Sequence, residues 1–365
     1  MTLPESNTFM QQALALAAQS LLLTSPNPRV GCVITSPDGQ LLGQGATQRA
    51  GAAHAEVMAL RDAATHGHSV VGATAYVTLE PCSHQGRTGP CCDALVAAGI
   101  KKVVAAIGDP NPLVTGNGSA GTDADVNADG AESRELNIGF FSRMLRKTPW
   151  VRMKLAASLD GKTALDNGLS QWITSPAART DGHAWRARAC AVLTGIGTVL
   201  ADNPKLDVRL VDTPRQPTLV VIDSRLETPL DAALFIPGRT LIIYAAVPHA
   251  EKQAALAALG ATVVLLPGPN DKVDLAAMLC DLARREVNEL HVEAGEKLNG
   301  SLIREGLVDE FVVYLAPKLI GQGRGMAHFG PLQDLAQAVP LEFKSTAMLG
   351  PDLRVVARVC GRDVF

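Results

Sequence analysis

Four residues in the first third of the chain are of the types that metal-dependent hydrolysis needs. His54 and Glu56 stand together in AAHAEVMAL, and Cys82 and Cys91 bracket the loop of TLEPCSHQGRTGPC (78–91). One imidazole and two thiolates make three soft ligands for a zinc ion whose fourth position stays open to water. Residues two apart in a regular helix face different sides. His54 is therefore expected at a helix entry, with Glu56 beside the open position. A carboxylate there can take a proton from water and hand it to a leaving group. Pro81 fixes the backbone just before Cys82. Cys91 is expected to open the next helix, whose positive end favours a thiolate. Its neighbour Cys92 is read as packing. Within the loop, His84 is expected to touch a substrate and Arg87 to meet a phosphate.

Each feature is weak by itself. A lone histidine is more often structural, and two cysteines with eight residues between them are often just buried thiols. In this order, with Pro-Cys after a strand, they match the pattern of zinc deaminases, His-x-Glu followed by Pro-Cys and a second cysteine. The insert SHQGRTGP spreads the usual Pro-Cys-x-x-Cys and reshapes the mouth of a pocket there.

The elements that must hold these groups alternate between strand-like and helix-like. GCVIT (31–35), ATAYVTL (73–79) and KVVAAI (102–107) read as buried strands, and 8–23, 54–66 and 91–99 as helices. This alternation predicts an α/β layer fold. DPNPLVTGNGSAGTDADVNADGA (109–131) reads as one long loop, and ESRELNIGFFSRMLRK (132–147) as a closing helix. Thr148-Pro149 is a boundary, giving domains of 1–147 and 148–365. In the second, VRMKLAAS, CAVLTGIG, PTLVVID, TLIIYA, ATVVLLP, ELHVEA, EFVVYLAP and LRVVARV read as strands. Helices are expected near 175–189, 250–259, 274–287 and 297–305. ELHVEA runs into Gly295 and then a helix, where backbone amides and the helix dipole could hold a phosphate. An ordinary strand–helix turn would look the same.

The chain of 365 residues has a net charge of −3, and neither half is basic. Lys and Arg number 10 against 12 Asp and Glu up to residue 147, and 23 against 24 after it. A polynucleotide-editing deaminase would show a basic face and stacking aromatics, so no nucleic-acid partner is expected. Seven cysteines, an odd number, make a poor disulfide framework. Cys32, Cys190, Cys280 and Cys360 lie in apolar runs and are expected as small core residues. No run reaches the ~18 apolar residues of a membrane span. A reduced, cytoplasmic setting without a membrane partner is expected, and a homo-oligomer is left open.

HAEVMAL, TLEPCSHQGRTGPC and DPNP resemble the deaminase half of the bifunctional riboflavin-biosynthesis deaminase/reductases, and PNPRVGCVI (26–34) is similar to that family's first strand. KLAASLDGKTA, SQWITSPAAR, GIGTVLADNPKLDVR, VIDS, VEAGEKLNGSLI and LVDEFVVYLAPKLIG resemble its reductase half. The likeness covers nearly the whole chain. It implies a cytidine-deaminase-like three-layer α/β domain fused to a dihydrofolate-reductase-like domain. It also implies two reactions on a small pyrimidine ribotide: zinc-dependent hydrolytic deamination, then NADPH-dependent reduction of the ribosyl group to ribityl. Carried over residue by residue, the resemblance gives His54, Cys82 and Cys91 to zinc, the proton-shuttle role to Glu56, and the pyrimidine to Asn27. NADPH would be lined by Ala156, Trp172, Thr198, Asp202, Ser224 and the stretch Gly295, Glu296, Lys297, Leu298, Asn299, Gly300 and Ser301. Substrate would meet Ser170, Arg186, Leu206, Arg209 and Glu293, the two arginines suiting a sugar phosphate because a guanidinium forks onto it. Without the resemblance, those arginines would be read as surface ion pairs. Lys154 would help position cofactor or substrate. No residue stands out as general acid for the hydride step.

The chain departs from the family in its first half. Ala52-Ala53 replaces Glu-Pro before His54, Thr47 replaces a histidine, and Gly89 replaces the first proline of Pro-Pro-Cys. Asn117 replaces a basic residue, and the segment 119–131 is shortened. An intact metal site with an altered substrate mouth is the expectation. The competing readings are a reductase whose deaminase half is weakened or shifted in substrate, and a first half that is only a zinc-structured binding module. An open three-ligand site beside a carboxylate argues against the latter, since structural zinc sites are closed by four protein ligands.

Overall fold

The computed structural model describes residues 5–83, 89–111, 123–126 and 130–365. Contacts divide the chain into two compact units, Met1–Arg146 and Lys147–Phe365.

The first unit runs α1 (Glu5–Gln19), β1 (Gly31–Thr35), β2 (Leu41–Ala46), α2 (Ala55–Thr65), β3 (Thr74–Val77), α3 (Cys91–Ala97), β4 (Lys102–Ala105), β5 (Asp123–Val126), α4 (Gly130–Leu136) and α5 (Ile138–Arg146). Its sheet has the order β2-β1-β3-β4-β5. The β1–β2 and β1–β3 pairs are antiparallel, while β3–β4 and β4–β5 are parallel. Every residue of β1 is buried, as befits a central strand covered on both faces. Helix α1 packs its Met10, Ala13 and Leu14 with Val33, Val104 and Ala106. A Cβ on Gly31 would lie 1.9 Å from the Ala13 carbonyl oxygen, so only glycine lets the helix approach this closely.

The expected long loop at 109–131 is corrected by β5, which pairs parallel to β4, and by α4, which starts at Gly130. DADV has too little apolar character to signal a strand, and the parallel partner supplies its order. LLGQGA, too glycine-rich to read as a strand, forms β2 at the sheet edge. The single helix expected over 132–147 is two, broken at Asn137. The Asn137 side chain accepts from the Arg29 amide at 2.7 Å and donates to the Arg29 carbonyl at 2.9 Å. It thereby holds the chain leading into β1.

The second unit runs β6 (Trp150–Ser158), β7 (Lys162–Leu165), α6 (Pro176–Arg188), β8 (Ala191–Gly195), α7 (Ile196–Asp202), β9 (Thr218–Ile222), β10 (Leu241–Ala245), α8 (Ala250–Ala258), β11 (Ala261–Leu265), α9 (Leu275–Arg284), β12 (Glu289–Val292), α10 (Glu296–Arg304), β13 (Glu310–Ala316), β14 (Gly323–Gly325), β15 (Leu341–Leu349) and β16 (Asp352–Val359). Nine strands form one sheet in the order β11-β10-β9-β8-β12-β6-β13-β16-β15, parallel from β11 to β13 with an antiparallel β16–β15 hairpin at the end. β14 and β7 make a separate ribbon. Two apolar clusters pack this sheet, one around Met153, Leu193, Met278 and Leu290, the other around Val192, Leu219, Ile243 and Leu256. The segment CAVLTGIG, expected as one strand, ends its strand at Gly195 and turns directly into α7. Gly195 has an extended backbone and stands at the helix N-cap.

A charged row crosses the middle of this sheet. Arg152 donates to Glu289 at 2.8 Å and to Glu310 at 2.6 Å, and Arg358 donates to Glu310 at 2.8 Å. All four side chains are buried, and they are paired as buried charges must be. Two of the cysteines expected in the core, Cys280 and Cys360, are exposed, and Cys190 is half-buried; only Cys32 of that group is fully enclosed. Apolar neighbours in sequence do not fix which face of an element a small side chain takes. No helix among the described residues is long and apolar enough to cross a membrane.

Candidate active site

His54 occupies the N-cap of α2 with an extended backbone, and its side chain makes no capping bond. Glu56 lies in the first turn of the same helix and is buried. Cys82 follows the strand β3 and Pro81, and Cys91 is the first residue of α3, behind Pro90 at the N-cap. His54 Nδ1 lies 3.6 Å from Cys82 Sγ and 3.3 Å from Cys91 Sγ. The three ligand atoms all fall within 4.8 Å of one another. A tetrahedron built from zinc–sulfur and zinc–nitrogen bonds of normal length has edges of roughly 3.5–3.8 Å. The spacing and the donor set both fit zinc.

The groups of this cluster shift one another's protonation. Hydrogen bonding from the Cys91 thiol, with the His54 ring beside it, brings the Cys82 thiol down to about 4. Cys91 is held up by the hydrogen bond it gives to Cys82 and by burial. Burial also pushes the Glu56 carboxyl up. Cys32, on β1, is kept a neutral thiol by burial and by the nearby Glu56 charge. Cys92 turns away and donates to the Pro81 carbonyl at 3.3 Å, in keeping with a packing role.

A cleft of about 520 Å³ opens beside His54, lined among others by Ala52, Ala53, Arg61, Gly89 and Pro90. Three of the departures from the family pattern, Ala52, Ala53 and Gly89, thus line one opening. Thr47 is buried, its amide donating to the Val30 carbonyl at 2.9 Å. His84, Arg87, Asn117 and most of 119–131 lie outside the described residues. Asn27 is half-buried in the turn before β1, two residues from the Arg29 that Asn137 clamps.

Two acids here escaped sequence reasoning. The Asp109 amide donates to Glu80 Oε2 at 3.2 Å, and Asp109 Oδ1 accepts from the Asn111 amide at 2.8 Å. Burial pushes the Asp109 carboxyl up to about 7. Their only signal was their position, immediately before Pro81-Cys82 and at the head of DPNP.

In the second unit the C-terminal ends of the parallel strands carry the candidate residues. Arg186, in the last turn of α6, forks onto Glu293: Nη2 reaches Oε2 at 2.9 Å, and Nε bonds Oε1. Lys154 on β6 lies 3.8 Å from Glu293 Oε2. Burial raises the Glu293 carboxyl, but Arg186 outweighs it and holds the group well below the carboxylate range. Burial pulls the Lys154 ammonium down. The fork of Arg186 is thus engaged by a carboxylate, and Arg186 is largely buried rather than a surface pair. The Arg209 guanidinium bonds Asp207, whose carbonyl accepts from Arg186 at 3.0 Å, and Leu206 precedes them with φ 50°.

Gly295 caps α10 without a side-chain partner, and Thr198 of α7 is the nearest neighbour to the space above it, 3.9 Å from where a Cβ would stand. Leu298 packs against Gly195 at the head of α7. Asn299 and Gly300 are buried, and a Cβ on Gly300 would lie 1.8 Å from the His328 carbonyl. Ser224 follows β9, its hydroxyl accepting from the Val273 amide at 3.4 Å. Trp172 is exposed, with the Arg179 guanidinium 4.4 Å from its ring. Ala156 lies on β6, Ser170 between β7 and α6, and Asp202 at the exposed end of α7. Among the described residues, no hydrogen bond or ion pair joins Ala156, Ser170, Trp172, Asp202 or Ser224 to the Arg186–Glu293 cluster.

Comparison with known proteins gives the same two-part picture. Residues 4–107 match the cytidine and deoxycytidylate deaminase zinc-binding region, and residues 149–355 match the RibD C-terminal domain. The chain is 44% identical to the riboflavin biosynthesis protein RibD of Escherichia coli over 94% of its own length and 97% of that protein. It is 40% identical to RibD of Aquifex aeolicus over 94% and 96%. A structure of Acinetobacter baumannii RibD superposes with a TM-score of 0.88 at 40% identity, covering 97% of this chain and 99% of that one. A Thermotoga maritima diaminohydroxyphosphoribosylaminopyrimidine deaminase/5-amino-6-(5-phosphoribosylamino)uracil reductase superposes with a TM-score of 0.87 at 31% identity, covering 98% and 99%.

Proposed function

The chain belongs to the RibD family of riboflavin-biosynthesis proteins, and from that premise we propose how its own residues divide the family's two reactions. The protein is a bifunctional enzyme of riboflavin biosynthesis, a zinc-dependent deaminase fused to an NADPH-dependent reductase. It deaminates 2,5-diamino-6-(5-phosphoribosylamino)pyrimidin-4(3H)-one hydrolytically and then reduces the ribosyl group to ribityl. Residues 1–147 carry the first reaction and 148–365 the second.

The observation that carries the residue assignment is the convergence of His54, Cys82 and Cys91 beside the buried Glu56. These three would hold the zinc, which when bound supplies Lewis acidity and brings the pKa of a water toward neutrality. Glu56 holds at its carboxyl the proton taken from the attacking water and delivers it to the departing amine, which leaves as ammonia. Burial favours the protonated form of Glu56, so its carboxylate is a strong enough base to take the proton from water. Asn27 orients the pyrimidine. The cleft lined by Ala52, Ala53 and Gly89 admits it.

In the second unit, NADPH when bound would supply the hydride. The amides at the start of α10, with Thr198 beside Gly295, would hold its phosphates. Ala156, Trp172, Asp202, Ser224 and the stretch Gly295–Ser301 line the rest of the cofactor. Ser170, Arg186, Leu206, Arg209 and Glu293 bind the substrate, with Lys154 beside Glu293. Arg209, exposed at the end of its loop, is the guanidinium placed to meet the sugar phosphate. The balanced charge of the chain and its seven free cysteines support a free ribotide substrate, no nucleic-acid partner and a reduced cytoplasmic setting.

One assay with two readouts tests this reading. Purified protein receives the diaminopyrimidinone ribotide and NADPH, and ammonia release and NADPH oxidation are followed separately. Both are expected to proceed. Ammonia without NADPH oxidation, or silence in both channels from folded zinc-loaded protein, would contradict it.

A further inference from the structure

Between α7 and β9 the chain from 203 to 209 forms neither helix nor strand, yet its backbone is tied down almost atom by atom. Arg239 donates to the carbonyls of Lys205 and Leu206 at 2.7 and 2.8 Å. Arg186 donates to that of Asp207 at 3.0 Å. Gln216 bonds both the amide and the carbonyl of Val208 at 2.8 Å. The Arg209 amide donates to His183 Nδ1 at 3.2 Å. A loop held this way loses little entropy when it closes on a ligand, which is what preorganisation means. Of these holders, His183 alone sits between the two arginines: its Nε2 packs 3.5 Å from Arg186 Nη1, one helical turn along α6.

We propose that His183 is a positioning residue of the reductase, fixing Arg209 and the 205–209 segment for the substrate's phosphate. This rests on the reading of Arg186 and Arg209 as substrate residues. A backbone N–H can only donate, so His183 Nδ1 must be the acceptor and must carry no proton. An imidazolium would turn a second N–H toward the Arg209 amide and add a positive charge between two guanidiniums. Burial, with Arg186 and Arg209 beside the ring, keeps His183 neutral, its pKa pulled down to about 4. His183 is itself buried within α6. Removing it takes the acceptor away from the Arg209 amide, and the guanidinium it carries loses its fixed origin.

The test compares His183→Leu, His183→Asn and Arg209→Ala in the full-length enzyme, with the deaminated ribotide as substrate and NADPH oxidation as readout. His183→Leu should raise KM for the ribotide about tenfold while kcat and KM for NADPH stay within about twofold, the pattern of lost uniform binding. His183→Asn puts an amide oxygen where Nδ1 was and should restore most of the affinity, a rescue that a packing role would not give. Should the leucine variant not fold, His183→Gln, whose acceptor is one carbon further out, takes its place and should show the same raised KM. If Arg209→Ala raises KM but neither His183→Leu nor His183→Gln does, or if Asn fails to rescue, the positioning role is overturned. If Arg209→Ala leaves KM unchanged, the substrate reading itself fails and the proposal with it.

Discussion

At the scale of single residues, the zinc site was legible in the sequence because its chemistry is carried by uncommon residue types in fixed local settings. His54 needed a helix entry, Cys82 a strand followed by proline, and Cys91 a helix start, and each setting leaves a short mark in the chain. Asp109 left only its place at the head of DPNP, and His183 left none. The fold buries Asp109 beside Glu80 and brings His183 on α6 against residue 209; neither contact is local. The same distinction governs Arg186, whose type suggested a phosphate and whose fork is occupied by Glu293, 107 residues away. The proposed metal ligands make the sharpest prediction at this scale. Cys82→Ser replaces a soft thiolate with a poorly ionised hydroxyl. The purified variant is expected to lose most of its bound zinc, measured by elemental analysis, and its ammonia release, while the deaminated ribotide still drives NADPH oxidation. Full zinc content in the variant would remove Cys82 from the ligand set.

At the scale of elements, strands buried on both faces announced themselves as apolar runs, and β1, β9, β10 and β12 fell where expected. Edge and ribbon elements did not. β2, β5 and β14 owe their order to a partner strand, and their own sequences, LLGQGA, DADV and GRG, carry little β preference. The break at Asn137 was equally silent, since helix-favouring residues lie on both sides of it and the reason for the break is Arg29, across the domain. Asn137→Ala removes both bonds to the buried backbone of Arg29. The first unit should lose about 1–3 kcal/mol, read as a lowered denaturant midpoint, and KM of deamination should rise because the turn bearing Asn27 is no longer anchored. A midpoint equal to that of the parent protein would show that the bonds are replaceable.

At the scale of the whole molecule, two different folds in one chain were legible from the switch in motif sets and the absence of an internal repeat. The buried charged row of the second unit was not, because Arg152, Glu289, Glu310 and Arg358 meet only through strand register. It makes the second unit sensitive to acid. Burial raises the Glu310 carboxyl, but Arg152 and Arg358 outweigh it and hold it below its ordinary 4.5. A depressed folded pKa means stability that is present above the unfolded value and lost as pH falls through the folded one. All three tryptophans, Trp150, Trp172 and Trp185, belong to this unit, so tryptophan fluorescence follows its unfolding alone. The denaturant midpoint should hold steady from pH 7 to about 5 and fall below that. In Glu310→Gln it should start lower and change less with pH. A Glu310→Gln profile parallel to that of the parent would assign the acid sensitivity elsewhere.

The division of labour between the units is tested most directly by Glu56→Gln, which keeps the size of the side chain and removes its capacity to carry the proton. The measurement is ammonia release from the diaminopyrimidinone ribotide alongside NADPH oxidation with the deaminated ribotide supplied directly. Ammonia release should fall by about 10²–10⁴-fold with zinc content unchanged, while reduction of the supplied intermediate proceeds at the parent rate. Ammonia release at the parent rate would contradict the proton-transfer role of Glu56. A matching loss of reduction would contradict the separation of the two reactions between the two units.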